Sequence, residues 1–168
     1  ENSEISLFSI IDRYSKYGLN KNKTLLALPY YGLMYDIESS IDSTNSELKL
    51  KPSLETKLTY SEINKVFIEN PNLKLNTVLD PISMTKQLSV VFDDYSMKEI
   101  FYDDSYTLSK KYAFAISQGL KGVGIWALGF DNNRDELWSL IDESFATDQV
   151  VFNDPIAEVN GFPIRFAK

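Results

Sequence analysis

Two kinds of apolar pattern alternate along this chain. Leu7, Ile10, Ile11 and Tyr14 recur at i, i+3, i+4 and i+7, which predicts a helix from Ser3 to Tyr17 with one apolar face. Lys16 falls in its last turn, and Gly18 is suited to a left-handed C-terminal stop. A basic link from Asn20 to Lys23 follows. Thr24-Leu25-Leu26-Ala27-Leu28 is then continuous, and Pro29 closes it. A run of that kind, without alternation, predicts a strand buried on both faces.

The same order returns later. Ser105 to Gln118 predicts a second helix, with Leu108, Tyr112, Ala115 and Ile116 on one face. Asp103 and Asp104 precede it, where carboxylates favour a helix N-terminus, and the expectation is that both are solvated. Gly119-Leu120 ends this helix as Gly18-Leu19 ends the first. Gly122 then opens the apolar run Val123-Gly124-Ile125-Trp126-Ala127-Leu128-Gly129-Phe130-Asp131, read as a buried parallel strand whose end carries something functional. A third helix is expected at about Asp135 to Phe145, with Leu137, Trp138, Ile141 and Phe145 inward. Two helix–strand units of one design predict parallel strands with covering helices.

Residues 33–102 between the units have another character. Ile37 to Ser46 is polar and Ser-rich, and reads as a loop. Thr59 to Glu69 predicts a short helix, started by Thr59 or Ser61 and stopped before Pro71. Leu88 to Phe92 and Glu99 to Tyr102 flank Asp93-Asp94-Tyr95-Ser96, which reads as a hairpin turn. This is a small α+β insertion, about 70 residues against the usual ~2–6 of a loop between strand and helix, and long loops tend to be functional. The tail, 148–168, reads as a short closing strand or a linker.

Composition narrows the chemistry. The chain has 168 residues, 43% of them apolar and 13% aromatic, enough for one domain with a core. Its net charge of −7 repels phosphate backbones, so nucleic acid is a poor partner. No Lys/Arg cluster suits an anionic membrane. Neither Cys nor His occurs, so imidazole bases, thiol nucleophiles, disulfides and zinc sites with nitrogen or sulfur ligands are excluded. No cofactor is expected. No run approaches the ~18 apolar residues of a membrane-spanning helix. Glu1 opens a polar stretch without the basic start and apolar core of a secretory leader.

Three segments in this order resemble glycoside hydrolase family 18. Leu25-Leu26-Ala27-Leu28-Pro29-Tyr30-Tyr31-Gly32 is similar to the seventh barrel strand of that family. Ile100-Phe101-Tyr102-Asp103-Asp104, followed by Leu108, Lys110 and Lys111, is similar to the segment leading into the next helix. Gly122 to Asp131 is similar to the eighth strand. The resemblance runs over about residues 5–147. It implies an α/β fold, the C-terminal portion of a (β/α)8 TIM barrel, comprising the last two strands and flanking helices. The barrel portion would be 1–32 and 103–147, and residues 33–102 would be the family's α+β chitinase insertion domain.

The resemblance also implies substrate-assisted hydrolysis, in which the acetamido oxygen of the sugar attacks the anomeric carbon. A Glu in a D-x-x-D-x-D-x-E motif on the fourth strand protonates the leaving oxygen. That motif is absent here, and Phe92 to Glu99 has the wrong spacing for it. The expected partners are an N-acetylglucosamine-containing glycan and the remaining N-terminal barrel residues of a parent protein that is secreted or at the cell surface.

By the same resemblance Trp126 is the apolar floor beneath the sugar, since an indole is a large flat partner for a C–H face. Its alternative is core packing. Tyr30 and Tyr31 end the seventh strand, and alternation sends one into the barrel and the other toward a helix. Either phenol can bond a sugar or pack on the rim. Tyr102 is a cleft wall or a core residue of the hairpin. Asp131 bonds substrate or starts the next loop, and Trp138 is core. Two functional classes remain open: part of a chitinase-like hydrolase acting on chitin or peptidoglycan-type glycans, and a non-catalytic chitinase-like glycan-binding protein. Two strands cannot close a barrel, so the chain by itself is expected to be inactive and to associate or be marginally stable.

Overall fold

Three sheets organise the described residues, 7–41, 48–146, 156–159 and 162–165, of a computed structural model. The first sheet is a parallel pair, β1 (Leu25–Pro29) beside β7 (Gly122–Trp126), with Leu25 opposite Gly122 and Pro29 opposite Trp126. Helix α1 (Leu7–Lys16) precedes β1, and helix α3 (Ser105–Ser117) precedes β7. The two helices stop in the same way. Gly18 and Gly119 take φ of +83° and +67°, which a side chain would resist. The amides of Leu19 and Leu120 then reach back to the carbonyls of Tyr14 and Ala115, each at 3.0 Å. Leu19 and Leu120 pack on the core and turn the chain toward its strand. Lys121 N–H donates to the carbonyls of Lys21 and Thr24, so both strands start level.

The expectation that β1 is buried on both faces is not met. Leu26 and Leu28 face the helices and are buried, whereas Leu25 and Ala27 are exposed. Partners across a parallel ladder share a face, so Gly122, Gly124 and Trp126 lie on that same uncovered side. Helices cover one side of the pair, and among the described residues no third strand joins it.

The second sheet is antiparallel and five-stranded, in the order β3-β2-β6-β5-β4. Its strands are β2 (Tyr31–Ile41), β3 (Leu48–Thr59), β4 (Lys74–Asp80), β5 (Thr85–Val91) and β6 (Met97–Tyr102). The expected loop at Ile37–Ser46 is therefore strand as far as Ile41, and the rest lies outside the described residues. Pairing with both β3 and β6 satisfies its backbone, which outweighs its polar composition. Strands β3 and β4 have no counterpart among the elements expected from the sequence. The hairpin expected around Asp93–Ser96 is present, with the Asp94 carboxylate accepting from the amide and hydroxyl of Ser96 at 3.0 and 2.7 Å.

One face of this sheet forms a core. Met34, Leu88, Val90, Ile100 and Tyr102 are buried with Ile63 and Phe67. Each such aliphatic side chain stabilises the fold by roughly 1.5–3 kcal/mol. Ile63 and Phe67 come from the expected short helix, which is α2 (Tyr60–Glu62) continued by a π-helical stretch, Ile63–Ile68. Thr59 caps it. Its hydroxyl accepts from Glu62 N–H, and the Glu62 carboxylate accepts from Thr59 N–H at 2.7 Å.

Helix α4 (Asp135–Ile141) buries Leu137 and then widens into a π-helical turn, Asp142–Ala146. Several side chains expected inward are not covered. Ile10, Tyr14, Ile116, Trp138 and Phe145 are exposed, although Phe145 keeps a tilted ring contact with Tyr112 at 5.4 Å. The tail forms its own antiparallel pair, β8 (Ile156–Val159) with β9 (Phe162–Arg165), the third sheet.

Candidate functional site

The C-terminal end of the parallel pair collects most of the residues singled out in the sequence. Trp126 is the last residue of β7 and is 68% exposed. The peptide bond that follows it is cis. Its carbonyl accepts from Tyr30 N–H at 2.8 Å, and the carbonyl of Tyr30 accepts from Tyr60 N–H at 2.9 Å. Backbone bonds thus stitch the strand end to the start of the five-stranded sheet.

Tyr30 and Tyr31 divide as alternation requires. Tyr30 is 1% exposed and points to the helix layer, where its hydroxyl meets that of Tyr112 at 3.1 Å. Burial pushes the Tyr30 phenol up, the bond to Tyr112 opposes this, and the Asp131 carboxylate adds to it. Tyr31 is half-buried on the other side, with the Lys57 ammonium 5.6 Å from its ring centroid.

Tyr102 and Asp131 are both turned inward. Tyr102 is 6% exposed, and burial together with Asp104 pushes its phenol up to about 12. Asp131 is 2% exposed and accepts a hydrogen bond from the Trp138 indole N–H at 2.7 Å. Trp138 lies at the surface rather than in the core, held there by this bond. The carboxylate that follows the strand end fixes its loop to α4.

Asp103 is a correction of another kind. It is buried, not solvated: Lys111 Nζ lies 2.5 and 2.6 Å from its two oxygens, and Thr107 Oγ1 donates to it at 3.0 Å. Burial pushes its carboxyl up, against the pull of Lys111 and Thr107. Asp104 does cap α3, accepting from Thr107 N–H at 2.8 Å. Neither is placed for acid–base work. Among the described residues no three carboxylates converge where a metal ion would be held.

The sequence reading missed a cavity of about 500 Å³ on the outer face of the five-stranded sheet. Leu33, Tyr35 and Ile37 line it from β2, and Phe101 and Glu99 from β6. Pro52 and Gln87 complete the lining. The Tyr35 and Phe101 rings meet edge to face at 5.8 Å, and the Glu99 carboxylate accepts from the Gln87 amide and, at 3.4 Å, from Ser89. The signal was available: Tyr31, Leu33, Tyr35 and Ile37 recur with period two. Pro29, paired with Trp126, stands two residues before Tyr31, so one stretch of chain leads from the indole to this face.

No family model matches the chain. Over 142 residues it is 30% identical to the class V chitinase CHIT5 of Lotus japonicus, covering 83% of this chain and 32% of that protein. Its fold superposes on the class V chitinase of Nicotiana tobaccum, solved in complex with NAG4, with a TM-score of 0.62 at 18% identity, over 83% of this chain and 39% of that one. It also superposes on the chitinase-like agglutinin of Robinia pseudoacacia, with a TM-score of 0.56 at 23% identity, over 80% of this chain and 34% of that one. The chain spans about a third of the length of the curated relatives it matches. Sequence and fold together relate this chain to the glycoside hydrolase family 18 chitinases, as a match to one portion of them.

Proposed function

We propose that this chain is the C-terminal portion of a family 18 chitinase-like barrel, and that it supplies the floor and one wall of a cleft for β-1,4-linked N-acetylglucosamine glycans. In this reading residues 33–102 are the α+β insertion domain, the uncovered face of β1 and β7 is turned to the barrel interior, and the outer edges of the two strands receive the remaining strands of the barrel. The parent protein acts on chitin or a peptidoglycan-type glycan outside the cell. The observation that carries the reading is the exposed Trp126 indole at a strand end, on the side of the sheet away from the helices. A pyranose ring stacks its C–H face on such a surface. From there the glycan runs toward Tyr31 and the groove of Leu33, Tyr35 and Phe101, with Glu99 and Gln87 offering acceptors and donors to hydroxyls.

No D-x-x-D-x-D-x-E motif lies in the 168 residues, so the chain binds and does not cleave. A second reading is a non-catalytic chitinase-like glycan-binding protein: a Glu completing the D-x-x-D-x-D-x-E pattern in the upstream sequence of the parent protein would support the hydrolase, and another residue there the binder. Titration with N-acetylglucosamine tetramer, followed by isothermal titration calorimetry, tests the binding. Saturable heat that Trp126→Ala removes, with the circular dichroism spectrum intact, supports it. Binding that survives this substitution unchanged removes Trp126 from the site. Turnover of a chromogenic chitobioside by the chain overturns the statement that it does not cleave.

A further inference from the structure

A second set of contacts, separate from the glycan-facing surface, joins the loop after Trp126 to the short helix of the five-stranded sheet. The first turn of that helix leaves backbone donors without intrahelical partners. Tyr60 N–H takes the carbonyl of Tyr30 at 2.9 Å, Ser61 N–H takes the carbonyl of Phe130 at 3.0 Å, and Glu62 N–H takes the Thr59 hydroxyl at 3.2 Å. Two of the three donors thus reach out to the segments flanking Trp126. Side chains close the same seam. The buried Tyr60 donates its hydroxyl to Glu136 at 3.2 Å. The Arg134 guanidinium bonds Glu69 at the far end of the helix, and lies 3.5 Å from Glu136. Arg134 and Glu136 sit on either side of the start of α4, whose Trp138 is tied to Asp131.

We propose that Tyr60 and Arg134 are positioning residues: they latch the loop 127–134 to the helix and so set the distance between the Trp126 indole and the groove on the sheet. Neither side chain lines the groove. The latch stands on the contacts alone, and its consequence for ligand length rests on the glycan reading above. A ligand that spans both surfaces feels the setting of the latch, whereas one that touches only the indole does not.

The test uses Tyr60→Phe, which keeps the ring and removes one hydroxyl, and Arg134→Ala, in the 168-residue chain. Native-state amide exchange reads the latch directly. The expected result is exchange at Ser61, Asn132 and Arg134 faster by roughly three- to tenfold, the loss of one net hydrogen bond, with Leu88 and Ile100 unchanged. Unchanged Ser61 exchange in both variants overturns the proposal, and so does equal acceleration at Leu88 and Ile100, which marks a general loss of stability. In titrations, Tyr60→Phe is expected to weaken N-acetylglucosamine tetramer more than dimer, and an equal loss for both overturns the positioning role. Absence of all sugar binding in the unsubstituted chain overturns the glycan reading instead, and the exchange result then decides the latch by itself.

Discussion

Tyr30 and Tyr112 meet hydroxyl to hydroxyl at 3.1 Å in the core, across 82 residues of sequence. One donates and the other accepts, so each satisfies a group that would otherwise be buried without a partner. The pair joins the end of β1 to the middle of α3. Removing one hydroxyl strands the other. Tyr30→Phe or Tyr112→Phe is expected to cost about 1–3 kcal/mol, and the double substitution less than the sum of the two. Urea unfolding of the four proteins measures this, and additive losses would show that the hydroxyls do not interact.

Alkaline pH is expected to act through the same kind of group. Tyr102 is raised from 10.0 to about 12 by burial and by Asp104, and burial pushes Tyr30, Tyr60 and Tyr112 up as well. The folded state therefore holds these protons more tightly than the unfolded chain. Their contribution is fully present below pH 10 and is lost as pH rises through the folded values. The urea midpoint should fall between pH 10 and 12, in step with phenolate absorbance. A flat midpoint across that window would falsify the assignment.

The ion pair of Asp103 and Lys111 makes an asymmetric prediction. Both side chains are nearly inaccessible. Asp103→Asn or Lys111→Met leaves a buried charge without its partner and is expected to cost roughly 3–5 kcal/mol. Replacing both together should recover much of that loss. Thermal unfolding of the set reads it, and a double variant as unstable as the sum of the singles counts against the buried pair.

Gly32 is a close-approach position. A Cβ placed there would lie 2.7 Å from Ile63 Cδ1, 2.8 Å from the Phe101 carbonyl and 2.9 Å from Tyr102 Cβ. The carbonyl cannot rotate away without breaking the pairing of β2 with β6. Gly32→Ala is expected to lose about 1–3 kcal/mol, whereas Gly18→Ala meets no neighbour and suffers only from its positive φ. Comparing the two unfolding midpoints separates steric from conformational cost. A Gly32→Ala protein as stable as the parent would mean that β2 and β6 are further apart.

Much of the local architecture was legible in the sequence because it is decided within a few residues. Gly18 and Gly119 stop their helices through bonds that span five residues. Thr59 and Glu62 start the short helix by reciprocal capping, and Asp94 with Ser96 turns the hairpin. The parallel pairing of β1 with β7 followed from two repeated helix–strand units. Strand β2 beyond Ile37 and all of β3 and β4 were not legible. Their polar residues are held by ladder bonds to partners distant in sequence, and a ladder leaves little mark on composition.

Exposure was decided by tertiary structure. The sequence by itself determined that residues 123–128 are apolar and that Trp126 belongs to a strand, together with where the neighbouring helices stop. It could not determine which side of that strand is covered. That depends on what occupies the space beyond it, and here α3 covers one face while the other, carrying Trp126, is open. The same reason sends Asp103 into the interior, where Lys111 waits two turns along α3, and brings Trp138 to the surface on its bond to Asp131. Burial is a property of neighbours, and neighbours are assigned only when the chain is packed.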